Sequence, residues 1–132
     1  MILNTAIVCL ALNVYQESRG ESVTGQIAVA QVTLNRAGSD RRVCETVLAP
    51  KQFSWTKHLV NRHTHQVKKE GLPTDKESWV LALFVSQLAM SRAIPNVAGD
   101  AISYHEKSKR PSWRKDMVRT AKINNHIFYA KR

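Results

Sequence analysis

Apolar residues recur at helical spacing in the first part of the chain and predict two helices. A helix over residues 3–18 carries an apolar stripe formed by Leu3, Ile7, Leu10 and Val14, and Gly20 lies where a helix commonly ends. A second helix, over residues 23–36, is apolar on nearly every side and ends at Gly38 and Ser39. Because such a helix must be covered all round, we expect it at the centre of the fold.

A third helix is predicted after a polar, irregular stretch from Lys51 to Pro73. Thr74 is its predicted cap, and Glu77, three residues later, completes a capping box. The helix is expected to run to about Arg92, because Pro95 bars its continuation. Its predicted buried residues are Trp79, Leu83, Phe84 and Leu88. Between the second and third helices, residues 43–48 are compatible with a strand or a short helix.

The last third of the chain changes to a strand-like pattern. Residues 101–106 alternate between apolar and polar, and residues 123–129 carry β-branched and aromatic side chains, with Asn124 and Asn125 near one end of the predicted sheet. Residues 111–113 are predicted to form a turn or loop. The fold class is therefore α+β, with helices and a small antiparallel sheet, and a length of 132 residues predicts one domain over residues 1–132.

One carboxyl group stands out against this helical pattern. Glu17 lies three residues after Val14 and continues the apolar stripe of the first helix. A carboxyl at the end of an apolar face loses part of its hydration, which disfavours the charged form, so we predict a raised pKa of Glu17. A general acid working near neutral pH needs such a pKa. The alternative is a solvent-facing glutamate on the last turn of an ordinary helix.

Charge and cysteine content add two further expectations. Twenty Lys and Arg against ten Asp and Glu give a formal net charge of +10, with basic clusters over residues 51–69 and 107–122. Such a chain favours polyanions, and nucleic acid, acidic wall polymers and anionic membranes all qualify.

Cys9 and Cys44 are predicted to be two free, largely buried thiols, with a single bridge as the alternative. His63 and His65 are typical of a solvated loop, and no metal site is expected.

The first fifteen residues are apolar but do not fit an export signal or a membrane anchor. No basic segment precedes them, Asn4 and Asn13 interrupt them, and the run is too short to span a bilayer. We therefore expect a core helix and no encoded signal peptide.

Several motifs taken together resemble one family. They are Tyr15 to Glu21, Gly25-Gln26-Ile27-Ala28-Val29-Ala30-Gln31-Val32, Leu34-Asn35-Arg36, Gln52-Phe53-Ser54-Trp55, Tyr104-His105, Pro111 with Trp113, and His126 with Phe128-Tyr129. In this order they resemble the cell-wall hydrolase family of spore cortex-lytic enzymes. The resemblance implies a lysozyme-like or lytic-transglycosylase-like fold that cleaves peptidoglycan between N-acetylmuramic acid and N-acetylglucosamine.

The resemblance also implies roles for the two glutamates of the first motif. The catalytic glutamate of the family falls on Glu17, and the second falls on Glu21, for which we expect a structural or site-organising role, with Arg19 or Arg36 as its partner. Ser18 stands where alanine is more usual, which makes the Glu-Ser pair similar to that of soluble lytic transglycosylases.

Other residues of the motifs are candidates for the substrate site. Gln52, Ser54 and Trp55 are expected to line sugar subsites, although Phe53 and Trp55 are equally compatible with a loop plugged into the core. Tyr104 is expected to hydrogen-bond either the catalytic carboxyl or the N-acetyl group of the substrate. For His105 and His126 a site role and a structural role are both open. Trp113 is either a stacking platform or an anchor between helix and sheet.

The number of carboxylates bears on the reaction type. Hydrolysis by a muramidase usually needs a second carboxylate, for which Asp100 and Glu106 are the candidates. A lytic transglycosylase needs one glutamate, which acts as acid and then as base, and we favour this reaction. No cofactor is expected, and the expected partners are peptidoglycan and an anionic wall or outer-membrane surface, for a monomeric protein.

Two non-enzymatic interpretations compete with this one. A nucleic-acid-binding module would explain the charge but shows no recognisable binding motif, so nucleic acid is not an expected partner, and an inactive wall-binding domain would not need Glu17. A short, basic, single-domain lysin also resembles a bacteriophage endolysin, held in the host cytoplasm until it is released to the wall or periplasm. A bacterial enzyme without its export segment is the alternative.

Overall fold

The computed structural model describes residues 5–50 and 52–132. The helices are α1 (Ala6–Ser18), α2 (Val23–Ala37), α3 (Val43–Leu48), α4 (Thr56–Leu59) and α5 (Lys76–Ser91), and the strands are β1 (Ser103–Glu106), β2 (Met117–Ile123) and β3 (His126–Lys131). Short 3-10 helices cover Asp40–Arg42, Lys69–Gly71 and Ser112–Asp116. The predicted class, a helix-rich α+β fold with a small antiparallel sheet, is confirmed.

Helix α2 lies at the centre, as its all-round apolar sequence predicts. It packs against α1, α3 and α5, while Ala28 and Val32 contact Phe128 of the sheet. Ser22 caps its first turn by accepting a hydrogen bond from the backbone N–H of Gly25. At the other end Gly38 takes the left-handed conformation at φ 78°, which a residue with a Cβ rarely adopts.

Helix α1 also contributes a large part of the core, and its residues 9–15 are all buried. Its predicted start at residue 3 lies outside the described residues. The helix ends at Ser18, and Gly20 follows with φ 90°. No helix within the described residues is both long enough and apolar enough to cross a membrane.

A buried polar network joins α1, α2 and the segment before α4. Asn13 donates from Nδ2 to Thr33 Oγ1 at 3.0 Å and accepts at Oδ1 from the indole N–H of Trp55 at 2.8 Å. Trp55 is 9% exposed and Phe53 is 3% exposed. Of the two interpretations of this segment, the loop plugged into the core is therefore the one that the structure supports.

The expectation of two free thiols is wrong, because Cys9 and Cys44 form a disulfide. Residues 43–48 form the short helix α3, and α3 packs on α1 so that the two Cα atoms lie 5.2 Å apart. This separation is within the range that a disulfide requires. The bond ties α1 to α3 across 35 residues of sequence.

Helix α5 begins one residue later than predicted. Its cap is Asp75, whose side chain accepts from Ser78 N, whereas the N–H of Thr74 is donated to the hydroxyl of Tyr15. The predicted buried face is also wrong in part, because Phe84 is 53% exposed. The fully buried residues of α5 are the smaller Ala82, Val85, Ser86 and Ala89. Small residues let α5 approach α1 and α2 closely, and Trp79, Leu83 and Leu88 flank this contact half-buried.

The sheet has three strands where two were predicted. Its order is β1-β3-β2, with antiparallel pairing throughout. Residues 123–129 are not one strand, because the chain reverses at Asn124 and Asn125, and Asn124 has φ 50°, a conformation that asparagine tolerates. Strand β2 was missed because its side chains are exposed or half-buried and show no clear apolar alternation.

Candidate active site

Glu17 lies on the last turn of α1 and faces strand β1. The hydroxyl of Tyr104 donates a hydrogen bond of 2.5 Å to Glu17 Oε1, which is the first of the two partners predicted for Tyr104. Burial raises the pKa of Glu17, and the hydrogen bond from Tyr104 and the charge of Arg36 oppose this rise without cancelling it. The predicted direction is therefore confirmed. A carboxyl in this state can hold a proton at higher pH than an exposed glutamate.

Tyr104 is a fixed hydrogen-bond donor beneath this carboxyl. Its ring lies edge-on to His126, with centroids 5.2 Å apart, and tilted against Phe128 at 5.6 Å. Burial, and after it the charge of Glu17, raises the pKa of Tyr104 well above its ordinary value. The Tyr104 hydroxyl therefore stays protonated and acts as the donor in this hydrogen bond.

Arg36, at the end of α2, connects three parts of the site. Its Nε donates to the carbonyl of Ile102 at 2.5 Å and its Nη1 to the carbonyl of Gln52 at 2.9 Å. The guanidinium also stacks on the ring of Phe53 at 4.5 Å. Burial lowers the pKa of Arg36, but an arginine remains charged at physiological pH. Sequence reasoning placed Arg36 within a motif and did not assign it to the substrate site.

Glu21 interacts with the β2–β3 turn and not with Arg19 or Arg36. Its Oε1 accepts from Asn125 N at 3.3 Å, its Oε2 accepts from Asn125 Nδ2 at 2.9 Å, and its Oε1 lies 3.4 Å from His126 Nδ1. Arg19 instead lies over the ring of Tyr15 at 4.4 Å. The expected partners are wrong because the fold places Glu21 against a turn 104 residues away in sequence, a contact that no local pattern indicates.

A cavity of about 270 Å³ opens above Glu17, and we call it the central cavity. Its lining residues are Glu17, Arg36, Gln52, Phe53, Ser54, Tyr104, His105, Glu106, Lys109 and His126. An adjoining side cavity of about 350 Å³ shares Glu17, Glu106 and His126 with it. The side cavity also contains Arg19, Glu21, Lys107, Ser108 and Asn125. The fold thus brings Gln52, Ser54 and Tyr104 into one cavity with the carboxyl of Glu17.

Three predicted site residues do not line these cavities. Ser18 is buried and donates its hydroxyl to the carbonyl of Val14 at 2.8 Å, so it serves the helix end. Trp55 is a core residue bound to Asn13. Trp113 is 36% exposed and packs edge-on to His105 and Tyr129, which makes it an anchor on the sheet.

The two histidines differ in their surroundings. His105 is buried, with Nδ1 2.6 Å from the carbonyl oxygen of Glu106 and Nε2 2.9 Å from the hydroxyl of Tyr129, so both ring nitrogens are engaged within the sheet. His126 lies in the walls of both cavities and beside Glu21. Its position between Glu21 and Tyr104 links the second glutamate of the motif to the first.

The fold places the two candidates for a second carboxylate in different surroundings. Glu106 is exposed, lines both cavities, and its negative charge contributes to raising the pKa of Glu17. Asp100 is exposed and belongs to neither cavity. Within the described part of the chain, no cluster of three or more His, Cys, Asp or Glu residues is arranged to hold a metal ion.

Two solved structures are similar to this fold over nearly its whole length. The catalytic domain of SleB from Bacillus anthracis, described as a germination-specific lytic transglycosylase, has 27% identity and a TM-score of 0.70 over 95% of this chain and 93% of that chain. The catalytic domain of SleB from Bacillus cereus has 27% identity and a TM-score of 0.71 over 95% of this chain and 89% of that chain. No curated protein sequence matches the chain.

The family comparison agrees with the structural one. The cell wall hydrolase model matches residues 20–129, so Arg36, Tyr104 and His126 fall inside the match and Glu17 lies three residues before it. This match spans most of the 132 residues, and it confirms the family resemblance of the sequence motifs. The chain therefore belongs to the cell wall hydrolase family.

Proposed function

We propose that the protein cleaves the glycan strands of peptidoglycan between N-acetylmuramic acid and N-acetylglucosamine, as a lytic transglycosylase with Glu17 as its acid and base. The observation that carries this proposal is a carboxyl of raised pKa, held by Tyr104, in an open cavity lined by polar side chains. The description of the similar SleB domain as a lytic transglycosylase supports the same reaction.

In this reaction Glu17 first donates its proton to the glycosidic oxygen. The bond between that oxygen and the anomeric carbon of the muramic acid breaks, and the other sugar leaves with the proton. The 6-hydroxyl of the same muramic acid then attacks the anomeric carbon and gives its proton to the Glu17 carboxylate. The product is a 1,6-anhydromuramic end, no water is consumed, and Glu17 is protonated again for the next cycle.

The second candidate reaction is hydrolysis by a muramidase. The observation that favours it is Glu106, which shares both cavities with Glu17 and would activate a water on the other side of the cleaved bond. The two reactions differ in their products, because hydrolysis leaves a reducing muramic end.

The test is lysis of purified peptidoglycan by Glu17→Gln, with mass spectrometry of the products of the wild type. We expect the substitution to lower the rate at least about 100-fold, because it removes the proton donor. Glu77→Gln is the matched control, since Glu77 is exposed on the first turn of α5 and outside both cavities. An active Glu17→Gln protein would contradict the assignment, and reducing muramic ends would replace transglycosylation by hydrolysis.

We further propose that the enzyme works outside the reducing cytoplasm, at the wall or in the periplasm. The Cys9–Cys44 disulfide supports this location, because such bonds persist in oxidising compartments. A bacteriophage endolysin released from the host cytoplasm is the finer form of this proposal. Expression in the bacterial cytoplasm should then leave cells intact until the inner membrane is permeabilised, and lysis without permeabilisation would contradict it.

A further inference from the structure

A third cavity of about 520 Å³ lies beside α4, and we call it the α4 cavity. It shares Phe53 and Ser54 with the central cavity, so its wall continues the wall above Glu17. None of its residues takes part in the proton transfers described above.

The lining of the α4 cavity combines an apolar surface with cationic groups. The apolar contributors include Leu48, Pro50 and Val60. The ionisable side chains that line it are Lys57, His58, Arg62 and His65. Among the described residues no carboxylate lines this cavity, whereas the side cavity on the other flank of Glu17 contains Glu21 and Glu106.

We propose that the α4 cavity binds the stem peptide carried by the muramic acid next to the cleaved bond. This inference rests on the proposed function, because it assigns the rest of the same substrate to this wall. A stem peptide combines the small apolar side chains of alanine with several carboxylates, and it is attached to the sugar at the lactyl group. Its apolar and anionic parts complement the apolar lining and the cationic groups of the cavity.

The α4 cavity and the side cavity therefore differ in the charges that they present to a substrate. A glycan strand without stem peptides carries one carboxylate on each muramic acid, at the lactyl group beside the sugar ring. A stem peptide joins that group through an amide and adds several carboxylates further from the ring, where charge-assisted hydrogen bonds from Lys57 and Arg62 would hold them. The enzyme should consequently prefer glycan strands that still carry peptides.

The test compares two substrates made from one preparation: purified peptidoglycan, and the same material after an amidase has removed its stem peptides. We expect the wild type to have an initial rate about fivefold higher on the peptide-bearing glycan at equal, subsaturating glycan concentration, the effect of one or two partly screened ion pairs. Arg62→Ala and Lys57→Ala should each move the ratio of the two rates toward one. Arg41→Ala is the matched control, because Arg41 is an exposed arginine outside all three cavities and its loss changes the net charge equally.

A direct binding measurement keeps the inference independent of catalysis. A soluble stem tetrapeptide titrated into the Glu17→Gln protein should shift the NMR resonances of His58, Val60 and His65, and the same titration into Glu17→Gln with Arg62→Ala should shift them less. The melting temperature of each variant checks that it is folded.

The outcomes separate this inference from the proposed function. A wild type that cleaves both substrates at equal rates would overturn the peptide assignment while leaving glycan cleavage intact. The same holds if Arg62→Ala and Lys57→Ala lose rate equally on both substrates, and that result would point to a sugar in the α4 cavity. A wild type that cleaves neither substrate would instead contradict the proposed function.

Discussion

The pKa of Glu17 is set by opposing contacts from different parts of the chain. Burial disfavours its charged form, while the hydroxyl of Tyr104, 87 residues away, and the guanidinium of Arg36 favour it. The net result is a raised pKa. A group that must first donate a proton and then accept one benefits from this balance, because burial favours its protonated form while Tyr104 and Arg36 favour its charged form.

Removing the Tyr104 hydroxyl should change this balance in a defined direction. The hydrogen bond favours the charged carboxylate, so Tyr104→Phe should raise the pKa of Glu17 further. Since activity requires protonated Glu17 and is lost as pH rises through its pKa, the alkaline limb of the pH–rate profile should move to higher pH. The rate at the optimum should fall about tenfold because the carboxyl is less well positioned.

The matched control for this profile is Tyr129→Phe. This substitution removes a hydroxyl that is hydrogen-bonded to His105 and does not contact Glu17. The alkaline limb of the pH–rate profile should therefore stay in place. A limb that does not move in Tyr104→Phe, or that moves to lower pH, would refute the proposed influence of Tyr104.

The charged form of Glu17 should also lower the free energy of unfolding. Because its folded-state pKa is raised, the folded protein binds this proton more tightly than the unfolded chain, and the free energy of unfolding falls as pH rises through the two pKa values. Glu17→Gln removes this loss and keeps an oxygen for the Tyr104 hydroxyl. Thermal unfolding should show the variant more stable than the wild type near pH 7, with the difference shrinking below about pH 4.

The exposed carboxyl of Glu77 provides the comparison for this effect. Glu77→Gln should show no comparable gain, since it replaces a hydrated side chain. A Glu17→Gln protein less stable than the wild type at every pH would show that burial of the charge is not the main cost.

At the scale of secondary structure, α1 is the element that holds the catalytic carboxyl in place. The disulfide joins it to α3, and Asn13 joins it to Thr33 of α2 and to Trp55. Near the other end, the hydroxyl of Tyr15 accepts hydrogen bonds from the N–H groups of Thr74 and Asp75. Connections on several sides restrict rotation of the helix, so they fix the direction in which Glu17 points.

Reduction of the disulfide should therefore destabilise the fold measurably. Closing a loop across 35 residues of sequence is expected to contribute about 3–4 kcal/mol to the free energy of unfolding in the chain-entropy model. For a domain of this size, the melting temperature followed by circular dichroism should fall by about 10 °C on reduction.

The double substitution Cys9→Ala with Cys44→Ala is the control for the reductant. Its melting temperature should be lower than that of the oxidised wild type and should not respond to reductant. Equal melting temperatures for the oxidised and reduced wild type would mean that the bond adds little to packing of α1 on α3.

At the scale of the whole molecule, three cavities form a continuous series past Glu17. The α4 cavity and the central cavity share Phe53 and Ser54, and the central and side cavities share Glu17, Glu106 and His126. Such a series suits a long polymer better than a small molecule. The net charge of +10 adds attraction for an anionic polymer at longer range.

This charge predicts a dependence of activity on salt. Raising the salt concentration from about 50 mM to about 1 M shortens the screening length from more than 10 Å to about 3 Å. Lysis of peptidoglycan that carries anionic polymers should slow several-fold, through weaker binding. The same peptidoglycan freed of those polymers is the control and should lose less rate; an equal loss on both would contradict long-range attraction to the wall.

The accuracy of the sequence predictions depended on how local each feature is. The bounds of α2 were predicted within a residue, because its apolar run and its following glycine are local signals. The raised pKa of Glu17 followed from its place on the α1 stripe. The partners of Glu21, the exposed position of Phe84 on α5 and strand β2 were missed, because each depends on which distant surface packs there.

The sequence by itself determined the three long helices α1, α2 and α5, the α+β class, the family and the carboxyl at the end of α1, since periodicity and motif order are properties of the chain alone. The short helix α4 lies in a stretch that was predicted to be irregular. The tertiary structure decided which residues surround that carboxyl. Tyr104 and Arg36 came to it, Trp55 entered the core, and Cys9 met Cys44. The reason is physical: hydrogen bonds, disulfides and burial require distances of a few ångströms, which only the packing of distant segments fixes.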